Sequence, residues 1–83
     1  MEYEVEFRSK ARKDLARMSP DIARRILAKI ADLRQGQSVD VKRLTQFVPE
    51  YRLRVGDYRV LFDMDGHRIL IHRIKHRSDA YDS

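Results

Sequence analysis

The chain has 83 residues, 42% of them apolar and 37% charged, enough for one small core and too few for two. It contains no cysteine, which excludes a disulfide scaffold and any thiolate zinc site and suits a reducing compartment. Eighteen Lys and Arg against 13 Asp and Glu leave a net charge of +5, the balance of a protein with a polyanionic partner or of a solvated basic surface.

The opening Met-Glu-Tyr-Glu-Val-Glu is acidic and alternating, unlike the basic-then-apolar start of a signal peptide. No apolar run approaches the ~18 residues of a membrane span, so a cytoplasmic protein without a membrane partner is expected. Glu2 to Phe7 places Tyr3, Val5 and Phe7 on one side, the period-two signature of a half-buried strand. Ser9 can cap a helix running to about Met18, with Ala11, Leu15 and Met18 inside. Ser19-Pro20-Asp21 reads as a second helix start, followed by Ile22, Ile26, Ile30 and Leu33 at helical spacing and a stop at Gln35-Gly36. With so short a joint, the two helices should form an antiparallel hairpin lying on a sheet.

Residues 37–50 are the least regular part, with Val41, Leu44, Phe47 and Val48 as a covering loop or short turn. Tyr51–Val55, Gly56-Asp57 and Tyr58–Phe62 form a hairpin with a two-residue loop. Asp65-Gly66 marks a second turn into a strand from His67 to about Lys75. The predicted fold is α+β in two layers over residues 1–83 as a single domain: N-terminal strand, antiparallel helical hairpin, then a three-stranded antiparallel meander.

The first turn fixes a register. Arg54 faces Arg59 and Arg52 faces Leu61, so the three arginines share one face while Leu53, Val55, Tyr58 and Val60 share the other. Like charges directly opposite on a sheet are destabilising, by a few tenths of a kcal/mol up to ~1. A sequence that accepts this looks arranged to receive an anion, and guanidinium forks match phosphate. The bland alternative is a solvated face partly neutralised by Asp57 and Asp63. The second turn would place Arg59 opposite His72 and Arg68 opposite Asp63 as a salt bridge. Leu61, Leu70, His72 and Ile74 would then lie on the arginine face, which a partner protein could also cover. Lys75, His76 and Arg77, followed by Tyr81, add proton-transfer, anion-binding and stacking groups suited to cutting RNA through its 2′-hydroxyl. For His76 and Tyr81 the plain alternatives are a surface histidine and a packed terminal tyrosine. No His and acid spacing forms a metal site, and no cofactor is expected.

The stretch Tyr51-Arg-Leu-Arg-Val-Gly-Asp-Tyr-Arg-Val-Leu-Phe62 and the ending Lys75-His-Arg-Ser-Asp-Ala-Tyr81 resemble the RelE/ParE toxin superfamily, its RelE branch most closely. The resemblance spans nearly the whole chain and implies a RelE-like fold. It also implies a toxin of a type II toxin–antitoxin system: a metal-independent, ribosome-dependent endoribonuclease that cuts mRNA in the A site. Its implied partners are the ribosome, mRNA and a small acidic RelB-like antitoxin, with DNA bound only through the toxin–antitoxin complex. By position, Arg52, Arg54, Arg59, Lys75, His76 and Tyr81 fall on catalytic places, and Arg52, Arg54, His72, Arg73 and Arg77 on RNA-binding ones. Arg54 stands where the prototype has a lysine proposed as base. An arginine with a pKa above ~12 is a poor base, which shifts proton transfer to His76 or Lys75. The chain stops two residues after Tyr81, where the prototype continues into a C-terminal helix. Two alternatives share the pattern: a ParE-type toxin that poisons DNA gyrase, and a non-catalytic module binding RNA or an acidic partner.

Overall fold

Alternating and helical periods become eight elements in the computed structural model, which describes residues 2–37, 39–44 and 49–80. They are β1 (Glu4–Phe7), α1 (Ser9–Ala16), α2 (Pro20–Arg34), β2 (Val41–Arg43), β3 (Tyr51–Val55), β4 (Tyr58–Asp65), β5 (Arg68–His76) and α3 (Arg77–Ala80). The strands make one sheet in the order β1-β5-β4-β3-β2. The expected meander is β3-β4-β5, antiparallel throughout, and β1 joins β5 in parallel. Ala11, Ile26 and Ile30 of the helices pack on Leu53, Val55, Val60, Phe62, Ile69, Ile71 and Ile74, giving the two-layer α+β fold. Among the described residues no helix is long and apolar enough to cross a membrane.

Several boundaries differ from expectation for local reasons. Ser9 is the first helical residue of α1 rather than its cap, a place taken by Arg8 without any side-chain bond. The helix ends at Ala16 rather than Met18, because Ser19 must be extended before Pro20 to start α2. The segment read as irregular contains β2, a three-residue edge strand too short for a period to show. Leu44 is buried, whereas Phe47 and Val48 lie outside the described residues.

The larger difference is in β5. Its turn is Gly66-His67, with Gly66 at φ 62°, so Asp65 rather than Asp63 faces Arg68. The expected Arg68–Asp63 bridge is absent, and Arg68 instead lies 3.9 Å from Glu4 and 3.7 Å from Glu6 on the neighbouring β1. A β-bulge then interrupts the ladder: Phe62 faces Ile71 but Leu61 faces Arg73, leaving His72 as the extra residue. The bulge changes the parity of the strand. Ile69 and Ile71 point inward before it, and Ile74, expected on the arginine face, is 2% exposed in the core after it.

Asp14 of α1 holds the bulged segment. Its carboxylate accepts from Arg73 Nε and Nη2 at 2.9 and 3.1 Å and from the Ile74 amide at 2.9 Å. Burial pushes this carboxyl up, but the Arg73 and Ile74 hydrogen bonds outweigh it and hold the group below its ordinary range. The same contact raises Arg73.

A carboxyl lowered by folding stabilises the protein above its unfolded pKa, about 3.9, and ceases to do so as pH falls through the folded value. Asp14→Asn should therefore cost about 1–3 kcal/mol at pH 7 in urea denaturation, and the gap to wild type should narrow below about pH 4. The parity change has its own test. Ile74→Ala should cost about 2–5 kcal/mol and Lys75→Ala no more than about 0.5, an order that a straight β5 would reverse.

Candidate nucleic-acid interface

The β3–β4 loop turns at Gly56 with φ 58°, and the pairs Arg54↔Arg59 and Arg52↔Leu61 form as expected. On the other side of β4, the bulge delivers Lys75, not His72, opposite Arg59. Arg54, Arg59 and Lys75 thus make one row across three adjacent strands, on the sheet face turned away from the helices. Neighbours in such a row are about 4.5–5.5 Å apart. A second row, about 6.6 Å along the strands, runs Lys42, Arg52 and Leu61. Lys42 was not among the sequence candidates, because only the unforeseen β2 brings it to this face.

Arg59 is only 7% exposed. Its Nη1 donates to the carbonyls of Gly56 at 2.9 Å and Tyr58 at 3.0 Å, so the guanidinium is fixed without losing its charge. Its Nε is buried and has no partner among the described residues, and the same is true of Arg52 Nε. Arg52 Nη2 lies 3.5 Å from Asp40, a long contact on a side chain that is 14% exposed. Arg54 is exposed and forms no ion pair among the described residues.

Neither Asp57 nor Asp63 forms an ion pair with Arg52, Arg54 or Arg59 among the described residues. Asp63 accepts from the Glu50 amide at 2.7 Å and lies 3.1 Å from His72 Nε2, without hydrogen-bond geometry. Asp57 receives the Arg77 amide on its backbone oxygen, at 2.7 Å. Of the other expected RNA contacts, His72 stands at Asp63, Arg73 is committed to Asp14, and Arg77 is exposed at the start of α3. The described residues end in the single turn of α3, Arg77–Ala80. Tyr81 lies outside the described residues.

His76 does not join the arginine row. It pairs with Tyr58 and meets that ring edge-on, centroids 5.4 Å apart, on the side of the helices. Its Nδ1 accepts the Ser78 amide at 3.3 Å and lies 3.0 Å from Ser78 Oγ, so the imidazole caps α3. Because a backbone N–H can only donate, the neutral ring carries its proton on Nε2. Beside Lys75 an open groove of about 370 Å³ is lined by Asp14, Arg73, Ile74, Lys75, His76 and Asp79. No group of three or more His, Asp or Glu gathers as a metal site among the described residues.

Like charges in one row oppose each other until an anion arrives. Arg54→Gln should raise the stability of the free protein by a few tenths of a kcal/mol in low-salt denaturation, a gain that shrinks in about 1 M salt.

A family model described as the ParE toxin of type II toxin–antitoxin systems matches residues 5–81. Toxin RelE3 of Methanocaldococcus jannaschii is 32% identical over 75 residues, covering 84% of this chain and 85% of that protein. The crystal structure of the RelB–RelE antitoxin–toxin complex from Methanococcus jannaschii contains a similar chain, with TM-score 0.74 and 30% identity over 92% of this chain and 94% of that one. The toxin–antitoxin complex RelBE2 of Mycobacterium tuberculosis gives TM-score 0.75 and 30% identity, covering 93% of this chain and 100% of that chain. The cross-strand cation row thus sits on a scaffold shared with these toxins, and the chain belongs to the RelE/ParE superfamily of type II toxins, on its RelE branch.

Proposed function

We propose that this toxin is a ribosome-dependent endoribonuclease that cuts mRNA in the A site and is restrained by a small acidic RelB-like antitoxin. The observation that carries the reading is the Arg54–Arg59–Lys75 row, with Arg59 buried, fixed by two carbonyls and left with an unpartnered Nε. An orphaned buried donor costs about 1–3 kcal/mol, which a phosphate oxygen would recover if a shift of the Arg59 side chain on binding exposed it. In the reaction the ribose 2′-oxygen bonds to the adjacent phosphorus as the bond to the 5′-oxygen breaks, leaving a cyclic phosphate and a 5′-hydroxyl. Arg54 and Arg59 hold the non-bridging oxygens, where negative charge grows in the transition state. Lys75, across from Arg59, gives its proton to the departing 5′-oxygen, and the 2′-hydroxyl proton leaves to water. Arg52 and Lys42 take a neighbouring phosphate. Tyr81 stacks on the base at the cut, the role implied by the resemblance. His76 holds α3 beneath this site, with its Nδ1 occupied by the Ser78 amide.

The antitoxin partner is supported by the RelB–RelE complexes among the similar structures. The ParE family model supports gyrase poisoning as a second reading. Purified ribosomes programmed with mRNA separate the two. Wild-type toxin should cut at the A site, with Arg59→Ala and Lys75→Met slower by about 10²–10³-fold. His76→Asn, which preserves a helix cap, should retain most of the rate. Intact mRNA together with gyrase-trapped DNA breaks would overturn the nuclease reading.

A further inference from the structure

We infer that the RNA-binding surface continues around the free edge of β5 onto α1, where Lys10 and Arg17 grip an RNA phosphate backbone beyond the cleaved position. The inference rests on the reading of the arginine face as a phosphate site. β1 pairs only with Glu4-facing Arg68 through Phe7-facing Ile71, so the edge of β5 from His72 onward is not covered by a strand. There α1 takes over, because Asp14 binds Arg73 and the Ile74 amide.

On a helix, Lys10 lies four residues before Asp14 and Arg17 three after it, so both flank Asp14 on the side that meets the β5 edge. They stand about 10 Å apart along the axis. Asp14 has spent its charge on Arg73, leaving Lys10 and Arg17 uncompensated. Both are exposed and form no ion pair among the described residues. Between them and the arginine row lies the groove lined by Arg73, Lys75 and His76, with Asp14 and Asp79 as its acids. Lys75 belongs to both the groove and the row, and Asp14 of α1 lines the groove's other side, so the groove links the row to α1. Cations spread in an extended line around an edge match a polyphosphate backbone better than a compact acidic patch.

The test is binding to ribosomes programmed with an mRNA carrying a 2′-deoxy nucleotide at the cut, which removes the attacking hydroxyl and lets affinity be read without cleavage. The K10Q/R17Q double variant should bind about 5- to 20-fold more weakly near 0.1 M salt. Its slope of log affinity against log salt should be shallower by about 1.4, two contacts at about 0.7 each. R25Q/K29Q removes two exposed cations from α2 and should bind as wild type does. If that loss disappears with mRNA truncated at the A site, the phosphates belong to the mRNA; if it persists, they belong to ribosomal RNA. An unchanged slope for K10Q/R17Q, or an equal loss for R25Q/K29Q, overturns the inference. Loss of RelB-like antitoxin binding with unchanged ribosome binding overturns it too, in favour of an acidic protein on this surface. Wild-type toxin with no affinity for programmed ribosomes would instead overturn the nuclease reading itself.

Discussion

One extra residue in β5 organises this molecule. With Asp65 paired to Arg68, a straight continuation of the ladder would set Ile74 opposite Arg59 and turn Lys75 into the core. The bulge at His72 exchanges them, so Ile74 joins Ile69 and Ile71 inside and Lys75 completes the cation row outside. A hydrophobic requirement and an electrostatic arrangement are thereby met by the same irregularity. Burying an isoleucine is worth about 1.5–3 kcal/mol, more than the few tenths to ~1 lost by setting a lysine opposite an arginine. Core packing therefore drives the bulge, and the charge row follows from it. Asp14 makes the irregularity tolerable, since it takes the Ile74 amide that has no ladder partner on the β1 side.

The resulting face is less comfortable than a solvated one. Exposed arginines normally spread into water, where salt screens their repulsion beyond a Debye length of about 10 Å. Arg59 cannot, because it is nearly buried and tied to Gly56 and Tyr58. Its neighbours Arg54 and Lys75 form no ion pair among the described residues, while Asp63 is engaged with Glu50 and His72 farther along the strand. The row of Arg54, Arg59 and Lys75 thus lies toward the Gly56 end of β4 and Asp63 toward its other end. Such a preorganised donor set needs little rearrangement when charge develops on a phosphate. The same set weakens the free protein, which fits the antitoxin complexes in which similar toxins are found.

Much of this was legible in the sequence. Strict alternation from Tyr51 to Phe62 around a Gly-Asp pair fixed both the hairpin and the Arg54–Arg59 pairing, because a two-residue loop leaves one register. The second register went astray through the turn and the bulge. Gly56 leads the first loop and Gly66 leads the second, both at positive φ, so the analogy between them points to Gly66-His67 rather than Asp65-Gly66. The bulge has no comparable local signal. Its cue is a conflict of periods: Ile69 and Ile71 keep odd parity, yet Ile74 is the next large apolar residue and Arg73 and Lys75 are charged. Asp14 was invisible as a partner of Arg73, since fifty-nine residues separate them and only the packing of α1 on β5 joins them.

The arginine at position 54 bears on how the proton moves. A guanidinium does not release its proton in the accessible range, so Arg54 can clamp but cannot act as a base. His76 would be the natural substitute, yet its Nδ1 is taken by Ser78 and its ring stands with Tyr58 on the helix side of the sheet. Lys75 alone among the expected proton carriers with described positions stands in the row, one strand from Arg59. The proposed cleavage then leans on charge stabilisation more than on paired acid and base. Arg54, Arg59 and Lys75 around one phosphate would favour the dianionic transition state over its monoanionic ground state, and a positioned 2′-hydroxyl would need only to lose its proton to solvent as that charge is met.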